Sequence, residues 1–424
     1  MTQPPESTQP PESPQPPEQH DAPLGRAEPV AVGAPRPARP RSAAKGGRGR
    51  TLGLLALVAV GVLAVVLLGP RLLGGPKLPS DYSGEGKDDI VIEVHPGDSG
   101  SMIAQNLVEQ GVIADAGMFV SAASGNAELA AIQPGFYKLR TEIPAATAVT
   151  MLTDPSSRVG KLVIPEGKQL DDVEVVGSGD VNPGIFSLIS DASCVDLNGT
   201  RSCVSTRDLK SAAEDDTLES LNVPEWAMKG ASAMGNSHRR LEGLIAPGTW
   251  NIDPSASAKQ ILATLVDESG KRYVQGGLLE SAKALKMTPY QVLIVGSLVQ
   301  KEAKPADFAK VARVIYNRLA SEYDRLEFDS TVNYPLDRQE VATTDADRAT
   351  ETPWNTYAKA GLPATPICSP GEEALAAAER PEPGDWLYFV TVDSDGTTLF
   401  TGDYQEHLAN RDMALSSGVL DSGR

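Results

Sequence analysis

Apolar positions fall into distinct patterns along the 424-residue chain. From Leu52 to Leu68 they run without interruption, and Leu72-Leu73 extend the run past Pro70-Arg71. That is about the 20 residues a bilayer-spanning helix needs, so a transmembrane helix is expected over 51–73. From residue 90 the apolar positions alternate or recur at helical spacing instead. Ile90-Val91-Ile92-Glu93-Val94 reads as a strand that breaks at the turn Pro96-Gly97-Asp98. Ser101 to Gly111 reads as a short helix ended by glycine, a second helix covers about 115–124, and Gly135-Phe136-Tyr137-Lys138-Leu139 returns as a strand. Strand, two helices and strand make a small α/β module over 88–155. Lys161-Leu162-Val163-Ile164 is a further strand running into Pro165-Glu166-Gly167, and Leu170 to Val176 starts the next element.

The remainder turns helical. Residues 178–238 are rich in Ser, Asp, Asn and Gly and read as a surface insertion with one short helix near 206–221. Ser257 to Val266 is amphipathic. Thr288-Pro289 supplies an N-cap and a first-turn proline for a helix from Tyr290 to Ala303, with Leu293, Ile294, Ser297 and Leu298 on one face. After Pro305, the residues Phe308, Val311, Ala312, Ile315 and Leu319 recur at helical spacing and form a core stripe, with Asn317 and Arg318 at its polar margin. Phe328 to Tyr334, Trp354 to Tyr357 and Gly361 to Ile367 read as loops. Trp386 to Val390 reads as a buried strand paired with Leu399-Phe400-Thr401 across the turn Ser394-Asp395-Gly396. The expected fold class is α+β: a transmembrane helix, the small α/β module, and a mixed α+β domain over 160–424.

Composition orients this layout. Residues 1–50 repeat Pro-Pro-Glu and then become Arg/Ala/Gly-rich, too polar to bury a core, and read as a disordered tail. Arg36, Arg39, Arg41, Lys45, Arg48 and Arg50 precede the apolar run, which places the tail in the cytoplasm and everything after residue 73 outside, in a cell membrane crossed once. The polar region in front is too long for a cleaved signal peptide. The first 70 residues carry 7 Lys/Arg against 5 Asp/Glu, leaving 31 against 51 for the rest, a net −20. So acidic a body, without a basic stripe, excludes nucleic acid as partner. Cys194 and Cys203 flank a short polar segment and, outside the cytoplasm, could close a small disulfide loop, while Cys368 stands alone. With four His, none at zinc-site spacing from these cysteines, no metal and no other cofactor is expected.

The candidate chemistry centres on Leu241-Glu242-Gly243-Leu244-Ile245-Ala246-Pro247-Gly248-Thr249-Trp250. Glu242 sits beside a glycine and ahead of a Pro-Gly turn, at a loop edge where an acid can meet a substrate; an ordinary strand-to-turn boundary has the same look. The loops at 328–334, 354–357 and 361–367 carry aromatics, amides and hydroxyls. Such side chains suit sugar rings, and equally a proline-stiffened surface.

Glu242-Gly243 with Pro247 and Thr249, Val299-Gln300-Lys301-Glu302-Ala303, Tyr316-Asn317-Arg318-Leu319, Asp329 to Tyr334, Asn355-Thr356-Tyr357, Gly361-Leu362-Pro363, Pro366-Ile367, Ser369-Pro370-Gly371, Leu387-Tyr388-Phe389-Val390 and Glu406-His407 resemble, in order, the YceG-like endolytic murein transglycosylases. The resemblance spans about residues 88–415. It implies an enzyme that cuts peptidoglycan glycan strands internally and without water, leaving 1,6-anhydro-muramic acid ends. Glu242 takes the place of the family's catalytic acid, and one carboxylate suffices because the sugar's own 6-hydroxyl is the nucleophile. Leu241, Leu244, Ile245 and Trp250 could raise its proton affinity by desolvation. Asp329, Asn317, Asn355, Thr331, Tyr357, Glu302 and Glu406 are the candidates for holding the sugar and the acid. The 88–155 layout is similar to a LysM-like glycan-binding module, with a plain structural spacer as the alternative. Implied partners are peptidoglycan strands, the membrane and peptidoglycan synthases (penicillin-binding proteins). The chain departs from the family pattern at Gln300, Glu327, Ser330, Leu244-Ile245-Ala246 and Trp250. Those departures motivate the alternative of a non-catalytic, membrane-anchored peptidoglycan-binding scaffold.

Overall fold

The computed structural model describes residues 80–175, 178–337 and 343–418. The expected cytoplasmic tail and transmembrane helix lie outside these residues; no helix within them is long and apolar enough to cross a membrane.

The first module is built on β1 (Asp89–Val94), α1 (Gly100–Glu109), α2 (Ala116–Ala123), β2 (Gly135–Arg140), α3 (Ala145–Thr153) and β3 (Arg158–Val159). β1 and β2 pair antiparallel with Ile92 opposite Tyr137, and β3 joins the far edge of β2. The expected strand, two helices and strand are all present. Alternation turns Ile92, Val94, Tyr137 and Leu139 to one face, where Ile103, Leu107 and Phe119 cover them. Ser99 and Asp115 cap the two helices by accepting from the backbone amides of Met102 and Met118. Asp81 does the same for α3 from 64 positions away, accepting from the Ala145 amide at 3.0 Å.

The larger body begins with β4 (Lys161–Ile164), α4 (Ile185–Ala192), the hairpin β5 (Val195–Leu197) and β6 (Thr200–Ser202), α5 (Thr206–Asp215), α6 (Glu225–Ser232) and β7 (Gly248–Asn251). β4 pairs antiparallel with β7, setting Leu162 opposite Trp250. Residues 178–238 are not confined to the surface as expected: Ile185, Phe186, Ile189, Leu209, Leu221 and Ala227 are fully or almost fully buried in the main core. Their apolar residues cluster on one face of short helices set among Ser, Asp and Gly, so mean polarity hides a packed face. The helix expected near 206–221 ends at Asp215, and 170–175 forms turns and the two-residue strand Val173–Glu174. Cys194 and Cys203 are bridged.

The helical half comprises α7 (Ala258–Gly276), α8 (Leu278–Leu285), α9 (Pro289–Glu302), α10 (Phe308–Leu319), α11 (Asp329–Asn333), α12 (Asp345–Ala349) and α13 (Glu372–Glu379), then the hairpin β8 (Tyr388–Thr391) and β9 (Thr398–Thr401), and α14 (Tyr404–Ser417). α9 starts at Pro289 with the expected cap, Thr288 and Gln291 exchanging side-chain and backbone bonds. It is not one-faced: Tyr290 and every residue from Val292 to Val299 are buried, so α9 is the axis of the core. On α10 the Phe308, Val311, Ala312 and Ile315 stripe is buried as expected, but Arg318 is buried too, donating to the carbonyls of Leu387 and Leu326, both at 2.6 Å. The 328–334 loop contains the one-turn helix α11, and the β8 strand is half-exposed, because a two-stranded hairpin packs on one side only.

Candidate active site

Glu242 is placed by a short tight helix, His238–Leu241, that Ser237 caps, and by Gly243 after it. Gly243 has φ +75°, and a Cβ there would lie 2.5 Å from the Pro366 Cβ, so only glycine lets the chain turn here against the 366–368 segment. The stretch that follows is pinned from three sides. Tyr273 donates to the Gly243 carbonyl at 2.9 Å, Ser369 to the Ile245 carbonyl at 2.6 Å, and Trp250 Nε1 to the Ala246 carbonyl at 3.0 Å.

The Glu242 side chain is 1% exposed. Its Oε2 accepts from the Tyr334 hydroxyl at 2.7 Å and from the Leu170 amide at 3.2 Å, while Oε1 is buried with no hydrogen-bond partner among the described residues. Burial pushes the carboxyl up to about 7; the Tyr334 and Leu170 bonds oppose that, the charge of Asp171 adds to it, and Arg239 opposes it. A backbone N–H can only donate, so Oε2 is an acceptor in every protonation state. With two donors directed at Oε2, Oε1 is the oxygen left free to carry the proton of the neutral acid.

The acid borders a narrow cleft of about 10 Å3, walled by Asp171, Val173 and Arg239 on one side and Tyr334, Leu336 and Asp337 on the other. Asp171 is gripped by His238 Nε2 at 2.8 Å, Lys210 at 2.7 Å and Arg239 at 3.3 Å. Burial alone would raise its carboxyl, but the His238 and Lys210 bonds override that and hold it well below the usual carboxylate range. His238 shows the mirror image: burial lowers it, yet Asp171 and Glu214, at 3.0 Å from Nδ1, hold it above the usual histidine value. Arg239 also donates to the Tyr334 carbonyl at 3.1 Å and lies over the Tyr334 and Trp354 rings. Tyr334, Asp171, His238 and Arg239 are the site residues that the motif reading did not single out. Their partners lie 24 to 95 positions away, and no local spacing reveals such a pairing.

Glu302, Asp329 and Tyr357, among the sequence candidates, meet around α11. The Ser330 hydroxyl donates to Glu302 Oε1, and burial pushes the Glu302 carboxyl up to about 7 against that bond. Asp329 accepts from Thr343 at 2.7 Å and Tyr357 at 2.8 Å and pairs with Arg348. Thr331, fully buried, bonds Phe328 and Thr356. Asn355 closes the end of α12 by donating to the carbonyls of Asp347, Arg348 and Thr350. Asn317 staples the approach to β8 through the Gly384 and Trp386 carbonyls, and Glu406 accepts from Thr401 at 2.6 Å. None of these seven side chains hydrogen-bonds Glu242 in the bonds given above. What joins the two centres is α11: Ser330 and Tyr334 stand one helical turn apart, and one holds Glu302 while the other holds Glu242. Among the described residues no cluster of His, Cys, Asp and Glu suits a metal ion.

The sequence profile of the YceG-like family matches residues 92–413. A Bacillus subtilis protein named endolytic murein transglycosylase is 26% identical over 362 residues, which cover 83% of this chain and 92% of that one. A Streptococcus pneumoniae protein of the same name is 25% identical over 294 residues, covering 66% of this chain and 50% of its own length. A solved structure of a YceG-like protein from Listeria monocytogenes is 27% identical and covers 76% of this chain and 99% of that one, at a TM-score of 0.46. With the family profile spanning about three quarters of its length, and Glu242-Gly243 at the head of the ordered motifs, the chain belongs to the YceG-like family.

Proposed function

We propose that the chain is an endolytic peptidoglycan lytic transglycosylase whose general acid, and then base, is Glu242. The observation that carries this reading is a buried carboxyl on the pocket wall, held at one oxygen by Tyr334 and the Leu170 amide and pushed up to about 7 by burial, in a chain whose curated relatives are named endolytic murein transglycosylases. The Oε1 proton passes to the oxygen bridging C1 of N-acetylmuramic acid to the next N-acetylglucosamine, and the C1–O bond breaks. The 6-hydroxyl oxygen of the same muramic acid bonds to C1, and its proton returns to the Glu242 carboxylate. The product end is a 1,6-anhydro sugar, and no water is consumed. Between the two transfers, Tyr334 and the Leu170 amide hold Oε2 and stabilise the carboxylate. Incubating purified glycan strands with the protein yields anhydro ends, and Glu242→Gln abolishes them. Oxygen from 18O-labelled water at C1 of the product would mean hydrolysis instead.

The apolar run at 51–73 supports a single-pass anchor that leaves the catalytic body outside the membrane, beside nascent strands and their synthases, where cleavage would terminate elongation. Deleting 51–73 then releases the protein from membranes and removes its effect on strand length. The module at 88–155, by its LysM-like layout, is proposed to bind glycan, which a pull-down on peptidoglycan by a chain lacking it would test. A non-catalytic scaffold is favoured by one observation, the near-complete burial of Glu242. Any Glu242-dependent turnover dismisses it.

A further inference from the structure

We propose that Asp171 is a positioning residue for the acid: it ties the segment that carries Leu170 to the turn that carries Glu242, and presents a fixed negative charge to the Glu242 carboxyl. The inference rests on the reading of Glu242 as the general acid.

The connection is a closed ring. Leu170 donates its amide to Glu242 Oε2, and Asp171 is the next residue along. The Asp171 carboxylate then grips His238 and Arg239, which lie four and three positions before Glu242 on the turn that places it. Lys210, on α5, holds the second oxygen from outside. Moving Leu170 off the acid therefore requires breaking ion pairs to the acid's own turn. Nothing about residue 171 in the sequence announces this, because its partners are 39, 67 and 68 positions away.

The electrostatic side follows from what faces the carboxyl. Tyr334 follows α11, Tyr290 lies on α9, and Cys368 precedes α13; all three are buried and pushed up, so they stay neutral through the physiological range. Arg239 brings a positive charge from the acid's own turn and Asp171, paired with it, a negative one from the segment that carries Leu170, and the two act on the acid in opposite senses. Asp172, also on the pocket wall, is turned away to the Gly184 amide at 2.7 Å and the Ser187 hydroxyl at 2.9 Å, and Asp337 lines the far side. Behind Asp171 stand His238 and Lys210, with Glu214 behind His238.

Two substitutions separate a positioning and charge role from plain support. The readout is the titration midpoint of Glu242, from the infrared band of its protonated carboxyl, assigned through Glu242→Gln in the full-length protein in detergent. Asp171→Asn removes the negative charge and moves the midpoint to lower pH by about one unit. Lys210→Met, at a half-exposed lysine, leaves the Asp171 charge less compensated and moves it the other way, by roughly a few tenths of a unit. Asp171→Glu restores the original midpoint in part, and the alkaline limb of the cleavage rate follows each shift. Folded variants that leave the midpoint in place, or shift it in the same direction, overturn the proposal; if Asp171→Asn does not fold, the direction seen with Lys210→Met decides. A wild-type protein that titrates as described but releases no anhydro ends would refute the functional reading and leave this inference standing.

Discussion

The Tyr334 hydroxyl donates to Oε2 of Glu242 across 2.7 Å, joining residues 92 positions apart. Tyr334→Phe should keep the ring in its packing against Trp354 while removing that donor. The maximal rate of anhydro-end formation is expected to fall about 10- to 100-fold, with a stability cost of about 1 kcal/mol. Because the bond opposes the upward shift of the acid, the alkaline limb should move to higher pH. A pH–rate profile with the plateau and limb both unchanged would exclude the role.

Near pH 7 the acid is half protonated, so cleavage should decline as pH rises through about 7. The same shift has a thermodynamic signature. The folded state holds the Glu242 proton up to about 7, whereas the unfolded chain releases it near an ordinary glutamate value of about 4.3. Stability from this group is therefore intact below the unfolded value and is lost as pH climbs between the two. Glu242→Gln removes that loss, and should be more stable than the native chain by about 3 kcal/mol at pH 8 and no more stable at pH 4. Glu302 titrates in both chains and cancels in the difference. Urea unfolding at the two pH values measures it.

Glu302 is a second buried carboxyl, pushed up to about 7, yet its bond is to Ser330 and not to the pocket that Glu242 borders. Glu302→Gln is expected to reduce turnover by less than about 10-fold, against a loss of at least about 100-fold for Glu242→Gln. Equal losses would mean two indispensable acids, and the single-carboxylate mechanism would fail.

The Cys194–Cys203 bridge closes a loop of sequence separation 9. Replacing both cysteines by serine should cost about 2–3 kcal/mol by the loop-entropy relation, read from urea unfolding under non-reducing conditions. Free thiols at both positions in the native protein, detected by mass spectrometry, would show that the bridge does not form.

Local order was legible in the chain. β1 and β2 follow from alternation at Ile92, Val94, Tyr137 and Leu139, and α9 starts where Thr288-Pro289 says it must, because caps and periodicity act over a few residues. Residues 178–238 misled for the converse reason: Ile185, Phe186 and Leu209 lie on short helices within a polar stretch, and their burial depends on helices far along the chain.

Glu242 itself was marked by its neighbours: the adjoining Gly243, the Pro247-Gly248 turn and the ordered motifs that follow. Its desolvation was foreseeable from Leu241, Leu244 and Ile245, all buried beside it. What only the tertiary structure decided is how the acid is held. Tyr334 reaches Oε2 from the end of α11, Leu170 from the opposite wall, and Asp171 reaches back to His238 and Arg239, so that one oxygen is clamped and the other is left free. The structure also parted the candidates, keeping Asn317, Asn355 and Glu406 on bonds within the scaffold. The physical reason is range: side-chain type and spacing fix what a residue can bond, but the partner it bonds across some 70 to 90 positions is set by packing.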